Sequence, residues 1–149
     1  SQEFRRIFKE EFQIDAPDKK FDEAWNATLL SLFPDSYDIV KSYKKIGSVF
    51  LLSNTSEIHF KKFEPECRNL FSLFKKCFFS FQLGVMKPNP EIYRKVLSIT
   101  GSNPKETLFI DDTEANLRPA NDAGMKVMHL KNRNQLYDLL KQISKENSE

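Results

Sequence analysis

The sequence predicts an α/β fold: a Rossmann-type parallel sheet with helices on both faces, preceded by a small helical segment. Three observations carry this prediction. From Ser48 onward, short apolar runs alternate with stretches whose apolar residues recur every three to four positions, the pattern of strand and helix in a parallel sheet. Three of these runs lead into polar, basic or acidic residues, as buried strands do at the carboxyl edge of such a sheet. Before Ser48 the periodicity is helical and rich in aromatic residues.

In that first third, Phe4, Ile7, Phe8 and Phe12 share one helical face, with Arg5, Arg6, Lys9 and Glu10 elsewhere. Asp15-Ala16-Pro17-Asp18 reads as a turn and a helix start, since Asp caps and Pro fits a first turn. Phe21, Trp25, Leu29 and Leu32 continue a second apolar stripe up to the break at Pro34-Asp35. Tyr37, Val40 and Tyr43 mark a third helix that closes at Gly47. An aromatic stripe at helical spacing reads first as core.

Val49-Phe50-Leu51-Leu52 is a continuous apolar run, as in a strand buried on both faces, and it ends in Ser53-Asn54-Thr55-Ser56. A helix with Ile58, Phe60 and Phe63 follows as far as Pro65, with Phe71, Leu73 and Phe74 in a further turn. Cys77-Phe78-Phe79-Ser80 is a second strand. The loop Gly84 to Pro90 leads into a helix with Tyr93, Val96 and Leu97, closed by Gly101. Thr107-Leu108-Phe109-Ile110 is the third strand and runs straight into Asp111-Asp112; a helix with Leu117 and Ala120 follows. Val127-Met128-His129-Leu130 is the fourth, and a helix with Leu136, Leu139, Leu140 and Ile143 closes the fold before a polar end expected to fray. The boundaries drawn are a helical segment at 1–46 and an α/β core at 47–145.

At 149 residues the chain suits one domain with a small insertion. The 23 basic and 21 acidic residues leave a net charge of +2, too small by itself to suggest a nucleic-acid or membrane surface. No apolar run approaches the length of a membrane span, and the first residues lack the apolar core of a signal peptide. Cys67 and Cys77 lack a metal-ligand pattern and read as inert thiols of a reducing, cytoplasmic compartment. Asn26 and Asn54 stand in glycosylation sequons, a pattern frequent by chance. No feature specifies an oligomeric state.

The strand ends carry the chemistry. Asp111 and Asp112 repel each other and cost desolvation, so they need a reason: a hard cation such as Mg²⁺, or the positive end of the following helix, which either acid could cap. Ser53 and Asn54 offer a hydroxyl, an amide and backbone N–H groups to a phosphate oxygen; as a plain helix cap they would look the same. Lys87 is stiffened by Pro88 and Pro90, which hold its ammonium in place; alone it would be a solvated surface lysine. Parallel strands finish on one edge, so the three sets can converge. A hydroxyl, a fixed cation and paired carboxylates are what phosphoryl transfer needs.

Leu51-Leu52-Ser53-Asn54-Thr55, Lys87-Pro88-Asn89-Pro90-Glu91-Ile92-Tyr93 and Phe109-Ile110-Asp111-Asp112 through Asn116 resemble the second, third and fourth motifs of the haloacid dehalogenase-like (HAD) hydrolases. The resemblance spans roughly residues 48 to 130 and is nearest to the sugar-phosphate phosphatases and the phosphatase domain of soluble epoxide hydrolases. It implies that the helical first third is a cap and that Ser53 and Asn54 hold the transferring phosphoryl group. It further implies that Lys87 offsets charge on nucleophile and phosphoryl oxygens, and that Asp111 ligates Mg²⁺. Asp112 is implied to ligate through water or orient Lys87, and Asn116 to support the acidic loop. The implied substrate is a small phosphorylated metabolite, with no nucleic acid and no membrane as partner.

The sequence departs from this family at one point. No Asp-x-Asp, the first motif that supplies the nucleophile and the acid/base, occurs in the 149 residues. The expectation is a chain that begins inside the cap of a longer protein, lacks the central strand of the family's sheet, and has its core left open. A Mg²⁺-dependent phosphatase acting through an aspartyl-phosphate is therefore read here as a fragment without its nucleophile, inactive alone. The alternatives are a haloacid dehalogenase-type hydrolase, which needs no metal, and a catalytically inactive HAD-fold binding module.

Overall fold

Aromatic side chains spaced by three and four residues fold the amino-terminal stretch of the computed structural model into helices α1 (Gln2–Glu11) and α2 (Asp18–Asn26), followed by α3 (Ser36–Lys44). Phe4, Phe8, Phe21 and Trp25 pack with ring centroids 5.0–6.1 Å apart, and Phe21 is buried among them. Arg5 fixes the pair of helices with two bonds to Asp22, of 2.7 and 2.6 Å. The structure describes residues 1–146; the end expected to fray falls at 147–149, outside the described residues.

The second helix stops earlier than its apolar stripe, at Asn26 rather than beyond Leu29. The Trp25 carbonyl is taken by the Thr28 hydroxyl at 2.8 Å and by His59 Nε2 at 2.9 Å. Those donors compete with the backbone N–H that would have continued the helix. Leu30 is left 91% exposed in the connection to α3.

Strand β1 (Phe50–Ser53) pairs in parallel with β2 (Lys76–Phe79), and β3 (Leu108–Asp111) with β4 (Lys126–His129). Among the described residues β1 and β3 do not pair, so the single sheet expected from the alternation is present as two parallel pairs. The Leu52 carbonyl takes its hydrogen bond from the Lys87 ammonium at 3.1 Å. A side chain, not a strand ladder, thus joins the two pairs there.

Helix α4 (Glu57–Phe71) follows β1 and runs through Pro65 instead of ending there. A proline inside a helix loses one backbone bond and costs roughly 3 kcal/mol. Burial of Ile58 and Leu70 on the same helix offsets this, with Phe60, Phe63 and Phe71 in an aromatic cluster with Phe79 and Phe81. The second strand ends one residue early, because Ser80 opens a short helix, α5 (Ser80–Leu83), stopped by Gly84 at φ +71°.

The centre of the fold lies where α6 (Pro90–Thr100) meets α7 (Leu117–Asp122). Ile92, Tyr93 and Ala120 are fully buried there with Met125, against Leu52, Leu83, Phe109 and Val127. The last helix, α8 (Asn134–Glu146), is tied back to α3. The Tyr43 hydroxyl donates to the Leu136 carbonyl at 2.8 Å, and Asp35 accepts from Arg133 and from the Tyr137 hydroxyl. Both cysteines are free, and burial pushes each thiol up from its ordinary value. Among the described residues no helix is long and apolar enough to cross a membrane.

Candidate active site

Asn89 caps α6 by accepting from the Glu91 N–H at 2.9 Å, and Pro90 fits the first turn, so the loop holding Lys87 enters the helix in a fixed direction. From there the lysine reaches the ends of both strand pairs. Its ammonium lies 2.6 Å from Asp111 Oδ2 and 3.1 Å from the Leu52 carbonyl, and 5.6 Å from the centre of the Phe109 ring. One cation thus joins the ends of β1 and β3.

Asp111 is only 6% exposed. Its other oxygen, Oδ1, accepts from the Thr113 N–H at 2.8 Å and from Asn116 Nδ2 at 2.9 Å. Burial pushes this carboxyl up, but the bonds from Lys87, Asn116 and Thr113, with the charge of Lys87, outweigh it and hold the group below its ordinary value. Asn116 is buried and fixed in turn, its carbonyl accepting from the Tyr93 hydroxyl at 2.7 Å. Burial first, and the nearby Asp111 charge second, push that phenol up to about 12.

Ser53 ends β1 between Leu52, which accepts from the Lys87 ammonium, and Asn54, which bonds the Lys87 backbone. The loop beyond is held from β2's side. The Thr55 N–H donates to Ser80 Oγ at 3.0 Å, and that hydroxyl donates to the Thr55 carbonyl at 3.1 Å. Ser56 caps α4 by accepting from the His59 N–H, and also accepts from the Trp25 indole N–H at 3.2 Å, which ties α2 to this edge.

The structure therefore brings together Asn54, Lys87, Asp111 and Asn116, with Ser53 between them in the chain. Asp112 is exposed beside them; its carbonyl accepts from His129 Nε2 at 3.1 Å, and the carboxylate partner of Lys87 is Asp111. Tyr93, Ser80, Thr113 and His129 were not singled out as site residues. Tyr93 stood in the motif, and Asp111 followed two residues later by Thr113 is an Asx-turn signal. Ser80 and His129 bond backbone atoms far off in the chain and leave no local trace.

Mg²⁺ fits this donor set. It prefers oxygen ligands, keeps several waters, and is commonly held by one or two carboxylates. Asp111 Oδ1 is filled by two donors, while Oδ2 carries one and keeps an accepting position, and Asp112, next in the chain, is exposed. No group of three or more His, Cys, Asp or Glu residues with metal-binding geometry occurs among the described residues, so most of the coordination would be water or substrate.

The family model of the haloacid dehalogenase-like hydrolases matches residues 2–124. The chain belongs to that family. A HAD-family enzyme of Bacteroides thetaiotaomicron, solved in complex with magnesium and inorganic phosphate, superposes with a TM-score of 0.74 at 33% identity, covering 86% of this chain and 67% of that one. The D-ribitol-5-phosphate phosphatase of the same organism is 29% identical over 74% of this chain and 56% of its own length. The rat bifunctional epoxide hydrolase 2 is 48% identical over a stretch covering 31% of this chain and 8% of that protein. This HAD-family chain thus spans about half the length of the phosphatase and far less of the epoxide hydrolase.

Proposed function

We propose that this chain is part of a Mg²⁺-dependent phosphatase that hydrolyses small phosphomonoesters, such as sugar phosphates, in the cytoplasm, with residues 1–46 as a cap over a core at 47–145. The observation that carries this reading is the Lys87 ammonium shared between the ends of β1 and β3. A fixed positive charge between the end of β1, which carries Ser53, and the end of β3, which carries Asp111, supports phosphoryl transfer there.

In this reading Ser53, with the remaining amide hydrogen of Asn54, receives the phosphoryl oxygens. Lys87 offsets their charge, and Asn116 keeps Asp111 turned to the edge. Asp111 and Asp112 would hold the Mg²⁺, which supplies further charge neutralisation on the phosphoryl group. The nucleophile would be an aspartate of a first-motif strand, as the family resemblance implies. Its carboxylate oxygen would bond to phosphorus as the ester oxygen departs with a proton from the same motif's second, acid/base aspartate; that carboxylate would then accept a proton from the water that cleaves the aspartyl-phosphate to inorganic phosphate and free aspartate. The paired acids favour this reading over a metal-free dehalogenase.

The test is to join an amino-terminal Asp-x-Asp strand to the chain and assay small phosphomonoesters with and without EDTA. Hydrolysis should require Mg²⁺ and fall roughly 10²–10³-fold in Lys87→Ala. Asp111→Asn should weaken both turnover and the metal response. Activity from the 149 residues alone, or activity indifferent to EDTA and to Asp111, would overturn the reading.

A further inference from the structure

Asn54 and Lys87, 33 residues apart, are joined by a two-point contact: Asn54 Nδ2 donates to the Lys87 carbonyl at 2.8 Å, and Asn54 Oδ1 accepts from the Lys87 N–H at 2.9 Å. The side-chain amide binds the lysine's backbone much as one peptide unit binds another across a sheet. Few side chains can do this. Aspartate lacks the donor, and glutamine carries the same amide one methylene too far out.

The loop presenting Asn54 is itself anchored. Ser80, 8% exposed, makes reciprocal bonds of 3.0 and 3.1 Å with the next residue, Thr55. A lysine reaches its target through a flexible four-carbon stem. Its ammonium can meet both Leu52 and Asp111 reproducibly only if the backbone from which it springs is held.

We propose that Asn54 is a positioning residue that fixes the backbone of Lys87, so that the ammonium bridges β1 and β3. The functional side of this proposal rests on the phosphatase reading of Lys87; the clamp itself does not. Asn54 keeps one amide hydrogen for a phosphate oxygen, so positioning and phosphate contact are compatible.

Nuclear magnetic resonance of the 149-residue chain tests it without an activity assay. In the wild type, the Lys87 ammonium should give its own slowly exchanging signal, because its protons are bonded to Asp111 and Leu52. Asn54→Ala should abolish that signal and speed exchange of the Lys87 backbone amide at least about tenfold, with the Val96 amide in α6 unchanged. Asn54→Asp, which keeps the acceptor, should restore protection of the Lys87 amide. An intact ammonium signal in Asn54→Ala overturns the proposal, as does a parallel loss of protection at Lys87 and Val96, which would make Asn54 a support of the whole fold. In the strand-extended enzyme Asn54→Ala should lower kcat through the released Lys87, and raise KM as well because the amide's phosphate contact goes with it. Failure of the enzyme to hydrolyse phosphomonoesters, with Lys87 released in Asn54→Ala, would remove the phosphatase reading and leave the clamp standing.

Discussion

The Lys87 ammonium and the Asp111 carboxylate meet at 2.6 Å, with side chains 11% and 4% exposed. Removing one member of such a pair leaves the other charge buried without its counter-ion. Lys87→Ala should therefore cost about 3–5 kcal/mol in chemical denaturation. Replacing both residues by apolar ones of similar volume should cost less than the single change. A loss below about 1 kcal/mol in Lys87→Ala would mean that water reaches Asp111 freely.

Acid should weaken the fold through the same carboxylate. Asp111 titrates below its ordinary value in the folded chain, since the bonds from Lys87, Asn116 and Thr113 outweigh its burial. The unfolded chain then binds the proton more readily, so this contribution is complete above roughly pH 4 and lost as pH falls through the lower folded value. The unfolding midpoint of the wild type should fall faster below about pH 4 than that of Asp111→Asn. Parallel curves would remove Asp111 as a source of the acid response.

Tyr93→Phe should cost about 1–3 kcal/mol, because it takes the hydroxyl partner from the Asn116 carbonyl in a fully buried position. The phenol is raised to about 12 from 10.0, so its contribution is intact below pH 10 and lost as pH rises towards 12. Burial also raises the Tyr43 phenol and the bond to Asp35 raises that of Tyr137, so absorbance titration should show several late steps, and the one near pH 12 should be missing in Tyr93→Phe.

Gly124 sits at φ +90°, and a Cβ there would lie 3.2 Å from the Pro104 Cβ. Gly124→Ala combines left-handed strain with a tight contact to a rigid ring, and should destabilise the chain by roughly 1–3 kcal/mol. Thermal unfolding is the measurement; an unchanged midpoint would mean that the turn before β4 relaxes at no cost.

The parts of the fold legible in the sequence were those with local patterns: the strand runs, the alternation with helices, and the acidic pair after Ile110. Lys87 was legible because its flanking prolines gave it a fixed setting. Two helix ends were misjudged for opposite reasons. At Trp25 a distant His59 withdrew a carbonyl the helix would have used, and at Pro65 packing from both ends of α4 outweighed a local breaker. The support beneath the site was hidden because Ser80 acts on a backbone position 25 residues away. No local rule reports such a bond.

The bonds from α3 to α8 limit how the amino-terminal helices can move. Asp35 is held by Arg133 and Tyr137, and Tyr43 holds the Leu136 carbonyl. A swing of α3 about the residues before β1 must carry α8 with it or break three hydrogen bonds, at about 0.5–3 kcal/mol each. A swing of α1 and α2 breaks none of these. It would instead strain the ties to α4 and its cap, from Trp25 to Ser56 and His59 and from the Ser1 amino group to Glu57. A swing of α1 and α2 alone would therefore turn about the stretch from Ala27 to Pro34, where Leu30 stands clear of the protein.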